Sequence, residues 1–196
     1  MNKLEECILK AVRKAQNSYL DMTGGDTTEG GWWLRHAPES YLQTVVAQSI
    51  FRRLKHRVYI DSSLKKIRSD QKKRGRPAQA NAAKRPDLAI WHKSRSVVRA
   101  IIEIKIAWNK EAILEDSKKL IEISNSKTRK KLYILAYSEV KIYNNNDKDA
   151  RKKLRGNLTD WKPDNKWSRI IGNIPKSNCD EERCWGAALY RCDNKL

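Results

Sequence analysis

The sequence predicts a single α/β domain with a small central mixed sheet flanked by helices. Several segments carry apolar residues at helical spacing, and short runs rich in Val and Ile lie between them. The predicted order is two helices, three strands, a helix, a strand, a helix and then short elements, which indicates a mixed α/β domain. The length of 196 residues suits one domain with its own core, and the sequence shows no internal repeat.

The spacing of apolar residues predicts four helices. A second helix begins near Pro38, because proline suits the first turn, where its missing N–H costs nothing. The inward stripe of this helix is expected to contain Leu42, Val45, Val46, Ser49 and Ile50. The other three helices are predicted over residues 3–20, 109–123 and 147–158, and the last of these is basic and expected to end at Gly156.

Strands are predicted where β-branched and aromatic residues cluster between polar segments. They cover residues 56–61, 86–91, 96–108 and 131–143, with two shorter ones within 168–174 and 185–192. The domain organisation that follows is a helical extension over 1–35, a motif-bearing core over 36–143, a basic loop over 62–85, and a basic helix with short strands over 144–196.

The chain is strongly basic, with 42 Lys and Arg against 23 Asp and Glu and a net charge of +19. So large an excess favours a polyanionic partner, with nucleic acid as the first candidate, although Lys enrichment also arises from genome composition and solubility. No apolar run approaches the roughly 20 residues that a bilayer span needs. The N-terminal segment does not resemble a signal peptide, so we expect a cytoplasmic protein without a membrane partner.

Four cysteines are present, and three of them follow a C-x4-C-x7-C spacing near the C-terminus: Cys7, Cys179, Cys184 and Cys192. A zinc site requires a fourth ligand and usually a C-x2-C pair, which this segment lacks. For a protein without a secretion signal we therefore expect reduced thiols, and we favour them over a structural zinc.

A charged pair interrupts the most apolar predicted strand. Strand alternation places Glu103 and Lys105 on the same face, with Ile102 and Ile104 on the other. Burying such charges is costly unless they are paired or bind a metal. A Glu–Lys pair on a solvated sheet face is the alternative, but the apolar residues around it favour a central strand covered on both sides.

Sixteen residues before Glu103 lies Asp87, preceded by Pro86, at the start of the preceding strand. Two neighbouring strands could therefore bring both carboxylates to one point. Carboxylate oxygens are the ligands that Mg²⁺ prefers, together with water and phosphate oxygens. Lys105 would point to the same place, where an ammonium group can orient an attacking water and neutralise a phosphate.

Pro86-Asp87 followed by Glu103-Ile104-Lys105 resembles the motif of the PD-(D/E)xK nuclease superfamily. The resemblance implies a restriction-endonuclease-like fold, whose core runs helix, three strands, helix, strand, as do the elements predicted from about residue 36 to 143. It also implies hydrolysis of phosphodiester bonds with Mg²⁺ (Mn²⁺ can substitute), leaving 5′-phosphate and 3′-hydroxyl ends. Asp87, Glu103 and Lys105 would be catalytic, and both carboxylates would bind the metal.

Many members of the superfamily carry a further Glu on the helix before the core, and Glu39 has this position. The resemblance implies that Glu39 is catalytic and a third metal ligand. The alternative is a favourable charge in the first turn of the helix, next to the positive end of its dipole.

Three partial matches to the motif occur elsewhere: Glu139-x-Lys141, Pro163-Asp164 and Asp116-x-Lys118. None forms a complete set. Glu139 is far downstream of Asp87, Pro163-Asp164 has no following ExK, and Asp116 lies in a predicted helix. We therefore prefer the set built on Asp87.

The segment before the motif is highly basic, since residues 52–85 hold 13 Lys or Arg and two acidic residues. Within it, Arg74-Gly75-Arg76-Pro77 resembles the core of an AT-hook, although a loop that contacts phosphates without sequence preference is the favoured interpretation. The residues expected to bind nucleic acid are Lys72, Lys73, Arg74, Arg76, Lys84 and Arg85.

The leading hypothesis is a metal-dependent DNA endonuclease in restriction, phage defence or mobile-element processing, acting as a homodimer or within a nucleoprotein complex. Two alternatives remain open: a nuclease directed at RNA, which the sequence does not distinguish from DNA, and a binding module that retains the fold without catalysis.

Overall fold

The computed structural model describes residues 1–23, 34–61, 85–92, 98–106, 110–124, 131–142, 147–159, 167–171 and 183–192. The helices are α1 (Lys3–Met22), α2 (Glu39–Leu54), α3 (Lys110–Ser124) and α4 (Asp147–Thr159), with a short 3-10 turn at Leu34–His36. The strands are β1 (Arg57–Ile60), β2 (Leu88–Trp91), β3 (Val98–Lys105), β4 (Lys131–Lys141), β5 (Trp167–Ile171) and β6 (Arg183–Cys192).

The described strands form one mixed sheet in the order β1-β2-β3-β4-β6-β5. Neighbouring strands are antiparallel except for β3 and β4, which are parallel and are connected through α3. This parallel pair lies at the centre of the sheet, and its connection through a helix is the crossover that parallel strands require. The expected α/β class with a mixed sheet flanked by helices is confirmed.

Helices cover both faces of the sheet. On one face, α1 and α2 pack against residues such as Ile102 and Ile104 of β3. On the other, α3 and α4 pack against residues such as Ile101. The strand alternation predicted for β3 is therefore confirmed, and the strand is covered on both sides. Each fully buried Ile side chain contributes about 1.5–3 kcal/mol through removal from water.

Helix α1 belongs to this core, and its first turn is stabilised by a capping box and by contacts with the sheet. Asn2 caps the helix by accepting hydrogen bonds from the N–H groups of Leu4 and Glu5, and the Glu5 side chain accepts one from the N–H of Asn2. The buried carboxylate of Glu5 also accepts a hydrogen bond from Tyr133 of β4 and pairs with Arg191 of β6. The first residues of the chain are thus tied to the centre of the sheet.

Two sequence-based expectations are corrected. Helix α4 continues through Gly156 to Thr159, because Leu154 and Leu158 on either side of the glycine are buried against the sheet and hold the helical turn. Cys7 and Cys192 are buried and are not disulfide-bonded, as expected, but Cys184 is disulfide-bonded, so the expectation of reduced thiols throughout is wrong. Within the described part of the chain, no helix is long and apolar enough to cross a membrane.

Candidate active site

Asp87 lies immediately before β2, and the structure holds its carboxylate against β3. The backbone N–H of Ile104 donates a 2.6 Å hydrogen bond to Asp87 Oδ2, and the N–H of Asp61 donates to the Asp87 carbonyl at 3.0 Å. Burial raises the pKa of Asp87, while the hydrogen bond from Ile104 and the charge of Lys105 oppose the increase. Asp87 is therefore fixed beside the two motif residues of β3.

Glu103 is the most enclosed member of the group, with only 1% of its side chain exposed. Its Oε1 atom forms an ion pair with the ammonium group of Lys119 on α3 at 2.8 Å, but neither Oε1 nor Oε2 accepts a well-oriented hydrogen bond from the described residues. Burial, reinforced by the nearby charge of Asp87, raises the pKa of Glu103 to about 9, although Lys119 acts in the opposite direction. A buried carboxylate oxygen without a donor is costly unless a proton, a water molecule or a cation compensates it.

Lys105, at the end of β3, lies between carboxylates from two helices. Its Nζ is 3.2 Å from Asp116 Oδ2 on α3 and 3.9 Å from Glu39 Oε1 on α2. Burial alone would lower the pKa of Lys105, but Asp116 and Glu39 outweigh it and raise the pKa. Lys105 is therefore a stable cation at neutral pH, and a quarter of its side chain remains exposed to solvent.

Glu39 is the first residue of α2, and its contact with Lys105 places it at the edge of the same group. Burial raises the pKa of Glu39, and Asp87 raises it further, while Lys105 lowers it. The 3.9 Å contact with Lys105 brings Glu39 close to the motif residues, and its place in the first turn of α2 is also favourable to the helix dipole.

Two residues of α3 complete the group, and the sequence reasoning missed both. Asp116 belongs to the DxK match that was not preferred because it lies in a predicted helix, and Lys119 belongs to none of the motif matches. The signal was available in the helix periodicity, because Asp116 falls between the buried Ile113 and Leu120 on the face turned to the sheet. Lys118, the lysine of that partial match, is exposed and points elsewhere.

The second ExK match, Glu139-Val140-Lys141 in β4, has a different arrangement. Glu139 Oε1 pairs with Arg183 at 2.6 Å and with Arg35 at 3.2 Å, and Lys141 is exposed. These ion pairs tie β6 and the 3-10 turn to β4. Pro163-Asp164 lies outside the described residues.

Of the residues predicted to bind nucleic acid, Arg85 is described and exposed, two positions before Asp87. The other five lie outside the described residues: Lys72, Lys73, Arg74, Arg76 and Lys84. Helix α4 adds a basic surface, since its Ala150, Leu154 and Leu158 face the sheet while its charged residues face solvent. The exposed basic residues of this helix are Lys148, Lys152, Lys153 and Arg155.

Lysines lie between the carboxylates of the group. Among the described residues no three Asp, Glu, His or Cys side chains are close enough together to enclose a metal ion. In this arrangement Lys119 stands between Glu103 and Asp116, with its Nζ 4.0 Å from Asp116 Oδ1.

Comparison of the chain with protein-family models, curated proteins and solved structures found no match.

Proposed function

We propose that this protein is a Mg²⁺-dependent nuclease that hydrolyses phosphodiester bonds in DNA. The observation that carries the proposal is the group formed where β2 begins and β3 ends. There Asp87 is fixed by the backbone of β3, Glu103 has a buried oxygen without a partner, and Lys105 lies within reach of further carboxylates. Acids and a lysine of this kind, assembled from separate strands, suit phosphoryl chemistry.

The order of elements supports a restriction-endonuclease-like fold. Helix α2 precedes three strands that form an antiparallel meander, β1-β2-β3, and α3 then leads to β4, which is parallel to β3. This is the order of helix, three strands, helix and strand that the PD-(D/E)xK resemblance implies. The motif residues lie on β3 and immediately before β2, as that resemblance also implies.

Two buried carboxylates, those of Asp87 and Glu103, support a divalent cation as part of the proposal, and the acids would have to move closer together to enclose it. The unpartnered Oε2 of Glu103 is the clearest indication, because a hard cation would supply the positive charge that this buried oxygen lacks. Asp87 and Glu103 would hold the ion, with Glu39 as a third ligand directly or through water. When bound, Mg²⁺ would lower the pKa of a coordinated water and offset the charge of the scissile phosphate.

The protein's own residues prepare the site for this reaction. The hydrogen bond from Ile104 restricts the Asp87 carboxylate to one orientation, and burial within β3 does the same for Glu103. Lys105 stays protonated, so its ammonium group can donate a hydrogen bond to the attacking water or to a phosphate oxygen. In the hydrolysis, the water oxygen bonds to phosphorus, the P–O3′ bond breaks, and the 3′ oxygen leaves as a hydroxyl.

The net charge of +19 supports a nucleic-acid substrate. Phosphates neutralised by Lys and Arg release counterions, so binding should weaken steeply with salt. The exposed Arg85 beside the site and the basic surface of α4 are the described contributors. DNA is the proposed substrate, and RNA is the comparison that the experiment must include.

The test is cleavage of supercoiled plasmid, with single-stranded RNA of matched length as a second substrate. Wild type should convert the plasmid to nicked or linear forms with Mg²⁺ but not with EDTA. Lys105→Met should abolish conversion, whereas Lys141→Met, which alters the lysine of the second ExK match, should not. Equal cleavage by wild type and Lys105→Met would contradict the proposal. Cleavage of RNA but not of plasmid would change the proposed substrate from DNA to RNA.

A binding module without catalysis is the second candidate, and the Glu103–Lys119 ion pair favours it. If lysines neutralise the acids permanently, the group would be structural and the basic surfaces would account for the function. Calorimetry separates the two: DNA binding without any uptake of Mg²⁺ or Mn²⁺ by the wild type would support the module.

A further inference from the structure

Lys119 has the position of a cation between two acids of the candidate site. Its Nζ lies 2.8 Å from Glu103 Oε1 and 4.0 Å from Asp116 Oδ1. The side chain reaches this position from the face of α3 that packs on the sheet, and it is only 20% exposed. An ammonium group held there compensates part of the charge that a metal ion would compensate.

The compensation is incomplete at Glu103. Its side chain is 1% exposed, and neither of its oxygens accepts a well-oriented hydrogen bond from the described residues, although Lys119 forms an ion pair with Oε1. The ammonium group of Lys119 therefore leaves both oxygens of Glu103 without a hydrogen-bond donor. A divalent cation carries twice the charge of an ammonium group and takes carboxylate oxygens as direct ligands, so it would compensate the charge of Glu103 more fully.

The charges of the whole group lead to the same conclusion. The carboxylates of Glu39, Asp87, Glu103 and Asp116 influence one another and are matched by two ammonium groups, those of Lys105 and Lys119. When all four acids are ionised, the group carries a formal charge of −2. One divalent cation would bring it to zero without the removal of either lysine.

We propose that Lys119 is a built-in counter-ion that competes with the divalent cation for Glu103 and Asp116. Binding of the cation displaces the ammonium group from Glu103, and Asp116 then becomes an additional ligand or orients one through water. The backbone of α3 stays in place because Ile113 and Leu120 anchor it in the core, so only the flexible lysine side chain moves. This inference rests on the proposed function, because it presupposes a cation at Glu103.

Calorimetric titration with Mn²⁺ alone, without DNA, tests the competition. Lys119→Met removes the competing charge and should bind Mn²⁺ roughly tenfold or more tightly than wild type, as loss of a nearby repelling charge in a partly buried site implies. Lys118→Met is the matched control, because it removes the same charge from an exposed position next to Lys119 on α3. It should bind Mn²⁺ with the wild-type affinity.

Lys119→Gln provides a second neutral variant that can still donate a hydrogen bond to Glu103, in case the Met variant does not fold. Circular dichroism shows which variants are folded. The Gln variant should also bind Mn²⁺ more tightly than wild type, and adding Glu103→Gln to it should abolish this binding. Tighter binding by either folded variant, including binding where wild type shows none, supports the inference.

Two results would overturn the inference, and they differ in what they imply for the nuclease proposal. If wild type binds Mn²⁺ through Asp87 and Glu103 but neutralising Lys119 leaves the affinity unchanged or weaker, Lys119 is not a competitor and the proposed function stands. If neither wild type nor any folded variant binds Mn²⁺, the inference and the metal-dependent function both fail.

Discussion

Replacing Glu103 with Gln should make the stability of the metal-free protein much less dependent on pH. Burial raises the pKa of Glu103 from 4.5 to about 9, so the folded protein holds a proton that the unfolded chain releases. A raised pKa contributes stability that is fully present below pH 4.5 and is lost as the pH increases through about 9. At about 1.4 kcal/mol per pKa unit, the full change is on the order of 6 kcal/mol.

Urea denaturation in EDTA at intervals between pH 5 and pH 9 measures this effect. The free energy of unfolding of wild type should fall across this window, and the fall should be several kcal/mol smaller in Glu103→Gln. The remaining slope comes partly from Asp87 and Glu39, whose pKa values are also raised by burial and which are present in both proteins.

Glu139→Gln alters another buried glutamate whose pKa is raised by burial, so it should also lessen the pH dependence in EDTA, but it should leave the effect of Mg²⁺ unchanged. Saturating Mg²⁺ should flatten the wild-type curve, since a bound cation favours the ionised carboxylate. Parallel curves for wild type and Glu103→Gln in EDTA would refute the reasoning.

Three further predictions concern the core, the cation and the substrate. Ile102→Ala should lower the free energy of unfolding by about 2–5 kcal/mol, measured by urea denaturation, because the side chain is fully buried; a loss below about 1 kcal/mol would contradict its place in the core. Asp87→Asn should abolish the increase in melting temperature that Mg²⁺ gives to wild type, although the amide oxygen can keep the bond from Ile104; an undiminished increase would exclude Asp87 as a ligand. Arg85→Ala should weaken DNA binding and reduce the slope of log affinity against log salt by about 1 if this exposed residue contacts a phosphate, and an unchanged slope would show that it does not.

The geometry of the strands could be predicted from the sequence because it depends on local periodicity. Alternation placed Glu103 and Lys105 on one face of β3, and the surrounding isoleucines indicated a strand covered on both sides. Because Asp87 stands at the start of the neighbouring strand β2, it was expected to lie beside Glu103 and Lys105. These are relations within a strand or between neighbours in an antiparallel pair, which a two-residue period determines.

The contribution of α3 could not be predicted in the same way. Lys119 and Asp116 reach Glu103 and Lys105 through the crossover between β3 and β4, whose geometry depends on how the helix packs across the sheet. Helical periodicity shows which residues of α3 face inward, but not which sheet residues they meet. The position of Asp116 within the apolar stripe of α3 was a signal, but the PD-(D/E)xK motif contains no residue of this helix.

The continuation of α4 through Gly156 has a similar explanation. Glycine is a frequent helix terminator, but burial of Leu154 and Leu158 stabilises the turn that contains it by more than the roughly 1 kcal/mol by which glycine weakens a helix. Local propensity therefore predicted the wrong end, because tertiary packing decides it. The disulfide at Cys184 likewise depends on spatial proximity that the cysteine spacing alone does not reveal.

Single-turnover cleavage of an end-labelled DNA duplex tests the central claim most directly, with protein in excess so that binding does not limit the rate. Wild type should cleave with Mg²⁺, release products with 5′-phosphate and 3′-hydroxyl ends, and stop in EDTA. Lys105→Met should bind the duplex but cleave it at least about 100-fold more slowly than wild type, since a positioned donor contributes at least this factor. Cleavage at the wild-type rate by Lys105→Met, or no cleavage by wild type at full occupancy, would contradict the account.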